Sequence, residues 1–230
     1  LWTVLQPLAM ILVYTLVFSE LLRALLPGVD TPFAFSIYLC AGVLTWGLLS
    51  EIVQRCMGVF LENGNMIKKL SFPRICLPAI VVLSALLNFS ITLAIFLAFL
   101  AVTGNFPGGE LVAILPLLFV QVAFALGLGI VIGVLNVFFR DTRFLWSVIS
   151  LLWTYATPIF YPHTIWPELL RGIFHLNPMY QLIDFLRQIV IAGIPPTPER
   201  LLACGAGAVG MLMIGLVIFR RYEEKFVFHL

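Results

Sequence analysis

Residues 136–162 read NVFFRDTRFLWSVISLLWTYATPIFYP. Arg140, Asp141 and Arg143 lead into an apolar run that approaches the roughly 20 residues a helix needs to cross a bilayer. That run holds two each of Trp, Tyr, Phe, Ser and Thr where leucine or valine would suffice. Long apolar runs with short polar breaks recur along the chain, so the reading of this stretch decides the fold.

Composition supports a membrane reading. The 230 residues are 62% hydrophobic and 10% charged, with mean hydropathy +1.09, against about 25% charged residues in soluble domains. An all-α polytopic membrane protein is expected, one domain over 1–230, with an N-terminal part of the natural chain preceding Leu1. Six spans are expected at about 5–26, 33–53, 75–102, 110–135, 144–160 and 201–219. The second helix can continue to Phe60. The segment 161–193 is apolar but broken by Pro162, Pro167 and Pro178, and it carries Glu168, Arg171, Asp184 and Arg187. A seventh span there would set two charges at mid-helix, at roughly 2.5–3.5 kcal/mol each. A re-entrant or interfacial helical hairpin between spans five and six fits better.

Basic residues orient the spans. Arg55, Lys68, Lys69, Arg74, Arg140, Arg143, Arg220, Arg221 and Lys225 fall on one side, and Arg23, Arg171, Arg187 and Arg200 on the other. The nine against four put both chain ends in the cytoplasm. The first run has no basic start and no cleavage site, so it does not read as a signal peptide.

Several function classes lose support. No GxxxxGK[ST], HExxH or GxSxG occurs, and no catalytic carboxylate pair stands out. His163, His175 and His229 share no ligand spacing, and Cys40, Cys56, Cys76 and Cys204 form no CxxC. The expectation is a non-enzymatic chain with no metal and no cofactor of its own. A net charge of +2 gives no sign of a nucleic-acid partner. Glu51 and Arg55, four apart at the end of span two, read as a local ion pair. A gradient-driven carrier therefore has no evident mid-span charge to work with. A membrane enzyme on lipid-linked sugar would need Asp184 or Glu168 with His175.

On a helical wheel, Trp146, Ser147, Ser150, Trp153, Thr154, Thr157, Phe160 and Tyr161 share an arc of roughly 140°. Leu145, Val148, Ile149, Leu152, Ala156 and Ile159 lie opposite, joined by Phe144 and Tyr155. Thr3, Gln6, Met10, Tyr14 and Phe18 form a similar stripe on the first span. Rings stack on the C–H faces of sugars while hydroxyls bond their OH groups, so these faces suit a glycan path. The alternative is helix packing, with Ser and Thr as interhelical glue and Trp or Tyr at the interfaces. Gly127, Gly129 and Gly133 invite close helix approach within the subunit.

Two loops stand out. Glu62-Asn63-Gly64-Asn65 is a turn or cap signal, and MIKKLSFP after it fits a short amphipathic helix before Pro73. It would lie on the membrane surface or dock into a partner. In NVFFRDTRF, Asp141 can N-cap the fifth helix. Arg140 and Arg143 can meet headgroups or an anionic substrate.

ENGNMIKKLSFPR at 62–74, NVFFRDTRFLW at 136–146, ATPIFYP at 156–162 and HLNPMYQLIDFLRQ at 175–188 resemble the permease subunits of ABC-2 type exporters. The nearest branch exports O-antigen, capsular polysaccharide and teichoic acid. The resemblance implies a homodimer in the bacterial inner membrane with two separate ATPase subunits that hold ATP and Mg. It implies a coupling helix around 62–74, with Glu62, Asn63, Asn65, Lys68 and Lys69 at the ATPase. It implies re-entrant helices at 161–193 and a path lined by spans one and five, through Gln6, Met10, Tyr14, Phe18, Trp146, Ser150, Trp153, Thr157 and Tyr161. Arg140 and Arg143 would face the linker of a lipid-linked glycan. A drug or another small amphiphile is the alternative cargo.

Overall fold

The computed structural model describes residues 2–17, 33–69, 73–162, 172, 174 and 176–226, of which the side chains of 2–4, 69 and 224 are not described. Among the described residues the chain is helical, without strands. The helices are α1 (Trp2–Tyr14), α2 (Ala34–Glu62), α3 (Gly64–Lys69), α4 (Cys76–Val102), α5 (Ile114–Phe138), α6 (Thr142–Ala156), α7 (Pro178–Arg187) and α8 (Pro198–Tyr222). Four of the described helical segments are long and apolar enough to cross a membrane: α2, α4, α5 with its 3-10 lead-in from Gly109, and α8. They match the expected spans two, three, four and six. For the first span only the apolar stretch Leu5–Val17 is described, and the rest of it lies outside the described residues.

The expected fifth span is shorter than predicted. Helix α6 stops at Ala156 after 15 residues, about 22 Å against a hydrocarbon core of about 30 Å. Thr157 and Pro158 form a turn instead. A residue before proline is pushed out of the helical region by the proline ring. Pro158 was thus the signal that the reading to Phe160 passed over.

Local chemistry sets the other ends. Helix α2 continues to Glu62, and the Asn63 side chain donates to the Val59 carbonyl at 2.8 Å to close its last turn. Helix α4 ends with Gly104 at φ +75°. There the N–H of Asn105 reaches the Leu100 carbonyl at 3.0 Å and that of Gly104 reaches Ala101 at 3.3 Å. This paired closure needs a left-handed residue, which glycine adopts without strain. Helix α6 opens with the Asp141 carbonyl accepting from the N–H groups of Phe144 and Leu145, which puts Asp141 at the N-cap position. Helix α7 opens with Asn177, whose side chain accepts from the Met179 N–H, and Pro178 follows where its missing N–H costs nothing. Arg220 and Arg221 sit in the last turn of α8, where the helix dipole favours positive charge.

The chain forms two compact units. The first comprises Leu1–Gly47, Leu87–Leu117 and Thr154–Leu201. Its core includes Ala34, Phe35, Tyr38 and Leu39 of α2, with Tyr14 and Ile191 packed against them. Helix α7 is buried nearly all round, through Met179, Tyr180, Leu182, Ile183, Phe185 and Leu186. With the π-helical turn Gln188–Ala192 that follows, it is too short to span. The first arm of the expected hairpin, at 163–171, lies outside the described residues.

The second unit comprises Leu48–Leu86, Leu118–Trp153 and Leu202–Leu230. Here α5 meets α8 and α2 backbone to backbone. A Cβ on Gly127 would lie 2.6 Å from the Leu212 backbone, one on Gly215 would lie 2.6 Å from the Gly127 carbonyl, and one on Gly133 would lie 2.6 Å from the Cys56 carbonyl. These are the close approaches that the glycine pattern of the fourth span led us to expect, and only glycine allows them. The Asn136 amide crosses the same seam to the Met57 carbonyl at 2.8 Å. The Glu51–Arg55 ion pair forms at 2.8 Å, half-exposed, as its spacing suggested.

Candidate functional site

Beyond α6 the chain makes a tight, buried turn in the first unit. Thr157, Pro158 and Ile159 are buried there, although the wheel had set Ile159 opposite the ring-bearing face. The helix has already ended, so helical periodicity no longer tells where Ile159 points. The Thr157 hydroxyl is fully buried and accepts from the Asn177 amide at 2.9 Å. One asparagine therefore both caps α7 and ties that helix to the end of α6.

Arg187 organises this turn. Only 6% exposed, it donates through Nε to the Tyr38 carbonyl at 3.2 Å, through Nη1 to Pro158 at 2.9 Å and through Nη2 to Ile159 at 2.8 Å. Its guanidinium also lies over the Tyr38 ring, 3.3 Å from the centroid. The Tyr38 hydroxyl donates to the carbonyls of Pro158 at 3.4 Å and Tyr161 at 3.1 Å. A buried cation is tolerated because its donors meet carbonyl dipoles and a π face rather than hydrocarbon. Helix α7 is not among the spanning helices. Burial pushes the Arg187 guanidinium down to about 10, with Tyr38 and Asp184 drawing it back up. It therefore stays protonated at neutral pH. Gly42 leaves room for it, since a Cβ there would lie 2.8 Å from Nη2.

Beside it, the Asp184 carboxylate accepts from Gln188 Nε2 at 2.8 Å and from Arg200 Nη2 at 3.2 Å. A carboxylate held by two donors is a structural partner more than a free acid or base. Glu168 and His175, the other groups a sugar-processing enzyme would use, lie outside the described residues. A cavity of about 270 Å³ lies among the Gly104–Gly108 turn, Ala34 and Ile37 of α2, and Val190–Gly193 at the end of the π-helical turn after α7. It is lined without charged side chains, so it offers no chemistry of its own.

The two tryptophans of α6 fall in the second unit. Trp146 is 8% exposed and meets Trp153 edge-to-face at 6.4 Å, and Trp153 meets Phe124 in the same way at 6.4 Å. The Trp146 Nε1 is buried without a hydrogen-bond partner. An unmade bond of this kind costs about 1–3 kcal/mol. Ser150 is half-buried and Ser147 exposed, while Phe144, Leu145, Val148, Ile149, Leu152 and Tyr155 make an exposed apolar face. The split between faces follows the wheel over Phe144–Tyr155, apart from Ser147. Tyr161, in the first unit, is half-buried and donates to the Tyr155 carbonyl at 2.6 Å.

On α1, Gln6 is exposed, while Met10 and Tyr14 are half-buried. The Tyr14 carbonyl accepts from Ser36 at 3.4 Å. Phe18 and the side chain of Thr3 lie outside the described residues. Arg140 and Arg143 are exposed at the start of α6.

A short helix follows α2 as expected, but α3 begins at Gly64, within the expected turn 62–65, and of the expected helical stretch only Met66–Lys69 lies in it among the described residues. In α3, Ile67 is buried, while Asn65, Met66 and Lys68 are exposed. Lys69 ends it, its side chain not described, and 70–72 lie outside the described residues. Glu62 is exposed and Asn63 half-buried. Near this segment an aromatic cluster forms. The Phe226 ring lies 5.1 Å from Phe60, 5.9 Å from Phe219 and 6.3 Å from Phe138, and both Phe60 and Phe226 are fully buried. Burial of one such ring stabilises by about 1.5–3 kcal/mol. Arg74 donates to the Glu223 carbonyl.

Residues 1–191 match the family described as ABC-2 type transporter. The chain belongs to the ABC-2 type transporter family. Relatives of this ABC-2 protein include an O-antigen export system permease protein RfbA from Myxococcus xanthus, 31% identical over 98% of this chain and 85% of the relative. Two O-antigen export system permease proteins RfbA from Klebsiella pneumoniae are 28% and 29% identical, each over 98% of this chain and 85% of the relative. Like other members of its family, the ABC-2 chain is a membrane component. Among the described residues, no group of three or more His, Cys, Asp or Glu side chains could hold a metal ion.

Sequence reasoning named the rings of α6 and the α3 segment, but it missed Arg187, Tyr38, Asn177 and Phe226 as organisers. For Asn177 a signal existed, since Asn-Pro before an apolar run is a helix start. Arg187 was read as an outer-side charge. Nothing local marks it as buried, since its partners in α2 lie far away in the chain.

Proposed function

We propose that this chain is the permease subunit of an ATP-driven exporter that moves a lipid-linked, O-antigen-like polysaccharide across the bacterial inner membrane. The observation that carries the reading is the likeness to relatives named as O-antigen export permeases, over 98% of this chain. Two copies and two separate ATPase subunits make the transporter, with ATP and Mg bound in the ATPase and no covalent chemistry in this chain. Six spans with a re-entrant outer hairpin and both ends cytoplasmic complete the proposed topology. The glycan enters near Arg140 and Arg143, whose exposed guanidiniums suit a phosphate linker. It advances along Gln6, Met10, Tyr14 and Phe18 of the first span and Trp146, Ser150 and Trp153 of α6, past Thr157 and Tyr161 in the turn beyond it. The half-buried rings of Tyr14, Trp153 and Tyr161 support this, because stacking on sugars tolerates sliding. Glu62, Asn63, Asn65, Lys68 and Lys69 form the ATPase contact, with the exposed Asn65 and Lys68 as its reachable part.

The test is export itself. Cells lacking the chain are expected to lose surface polysaccharide and to accumulate lipid-linked glycan inside. Replacing Lys68 and Lys69 by glutamate is expected to lower ATPase co-purification and export together. Unchanged surface polysaccharide in the deletion would overturn the reading.

A further inference from the structure

In the second unit the residues that follow α8 contact the chain on both sides of α3, at Phe60 before it and at Arg74 after it. Phe60 stands two residues ahead of Glu62, and its ring lies 5.1 Å from Phe226. Arg74 closes the far end and donates to the Glu223 carbonyl. Both partners belong to the short tail, Glu223–Lys225 and Phe226, that follows α8. The tail folds back so that Phe226 is fully buried against Phe60 and Phe219, and its ring also meets Phe138 at the end of α5. Between Phe60 and Arg74, with 70–72 outside the described residues, α3 keeps Ile67 inside and leaves Asn65, Met66 and Lys68 exposed.

We infer that the tail from Glu223 to Phe226 is a positioning strut that makes the ATPase-facing segment move as one body with the ends of α2, α5 and α8. This rests on the reading of 62–69 as the ATPase contact, and it adds a component to that contact. A push delivered at α3 can do work on the spanning helices only if the segment does not yield at its ends. Close-packed rings yield little, because such interiors have few voids into which to deform. The Arg74 bond is made to a main-chain carbonyl, so the side chain at position 223 contributes nothing to it. The strut therefore depends on the ring at 226 and not on the carboxylate at 223.

The experiment uses the full chain purified with its ATPase subunit, together with export in cells. Variants are Phe226→Ala, Phe226→Leu and Glu223→Ala. Three readouts are taken: the amount of assembled complex by size exclusion, ATP hydrolysis per complex, and export per assembled complex. Phe226→Ala is expected to keep assembly and hydrolysis close to wild type while export per complex falls about tenfold, within the range seen when packed coupling residues are altered. Phe226→Leu is expected to restore most of that export, and Glu223→Ala to leave it unchanged. Export per complex at the wild-type level in Phe226→Ala overturns the strut. So does a loss that only tracks the amount of folded complex, or a loss as large in Glu223→Ala. If the unaltered chain neither binds an ATPase nor exports, the transporter reading itself fails and takes the strut with it. Failure confined to the variants removes the strut alone.

Discussion

The guanidinium carbon of Arg187 lies 3.3 Å from the centroid of the Tyr38 ring, and Nε of the same side chain donates to the Tyr38 carbonyl at 3.2 Å. One planar fork thus holds a ring, its own backbone and two further carbonyls at Pro158 and Ile159. Lysine has neither the plane nor the fan of donors. Arg187→Leu is expected to destabilise the purified protein by about 3 kcal/mol or more, since charged hydrogen bonds contribute about 1.5–3 kcal/mol each. Arg187→Lys should recover little of this. Tyr38→Phe keeps the ring and loses only hydroxyl bonds, so it should cost under about 1.5 kcal/mol. Thermal unfolding in detergent measures all three. A lysine variant as stable as wild type would contradict the geometry.

Asn177 and Thr157 form a graded pair. Thr157→Val removes the buried bond to Asn177 and should cost about 1 kcal/mol. Asn177→Ala removes that bond and the cap of α7, which adds about 0.5–2 kcal/mol. The asparagine variant is therefore expected to melt below the threonine variant. The reverse order would mean that the cap does not form in solution.

The glycine contacts of α5 and α8 separate crowded from open positions. Gly127→Ala and Gly215→Ala each force a methyl into backbone at 2.6 Å and should cost about 1–3 kcal/mol. Gly207→Ala meets nothing within 4 Å and should be neutral or stabilising by up to about 1 kcal/mol. Equal effects at all three positions, read from unfolding midpoints, would argue against the close approach of the two helices.

The proposed path along α6 makes a contrast between its two faces. Trp153→Ala is expected to lower export several-fold at unchanged protein level, in line with the roughly 0.5–1.5 kcal/mol that an aromatic contact contributes. Leu152→Ala on the exposed apolar face should leave export near wild type. Surface polysaccharide per unit of membrane-inserted protein is the quantity to compare. Normal export in Trp153→Ala would remove that ring from the path.

Much of the architecture was legible before any coordinates. The four long spans are set by uninterrupted hydropathy, a property summed over some twenty neighbours and insensitive to what lies beyond them. Asn63 and Asp141 mark helix ends because their hydrogen bonds reach only a few residues along the chain. The glycines of the fourth span announced a close contact, although not that Leu212 and Cys56 would make it. The early stop of α6 was equally local, and Pro158 carried it.

The sequence by itself determined where helices begin, how long the apolar ones run and which faces bear rings, because backbone geometry and hydropathy act between neighbours. Only the tertiary structure decided that Arg187 is buried, that Thr157 serves α7 and that Phe226 closes on Phe60. Arg187 and Tyr38 are separated by 149 positions. A buried cation is stable only where distant carbonyls happen to converge, and convergence is a property of the packed chain that no short stretch of residues contains.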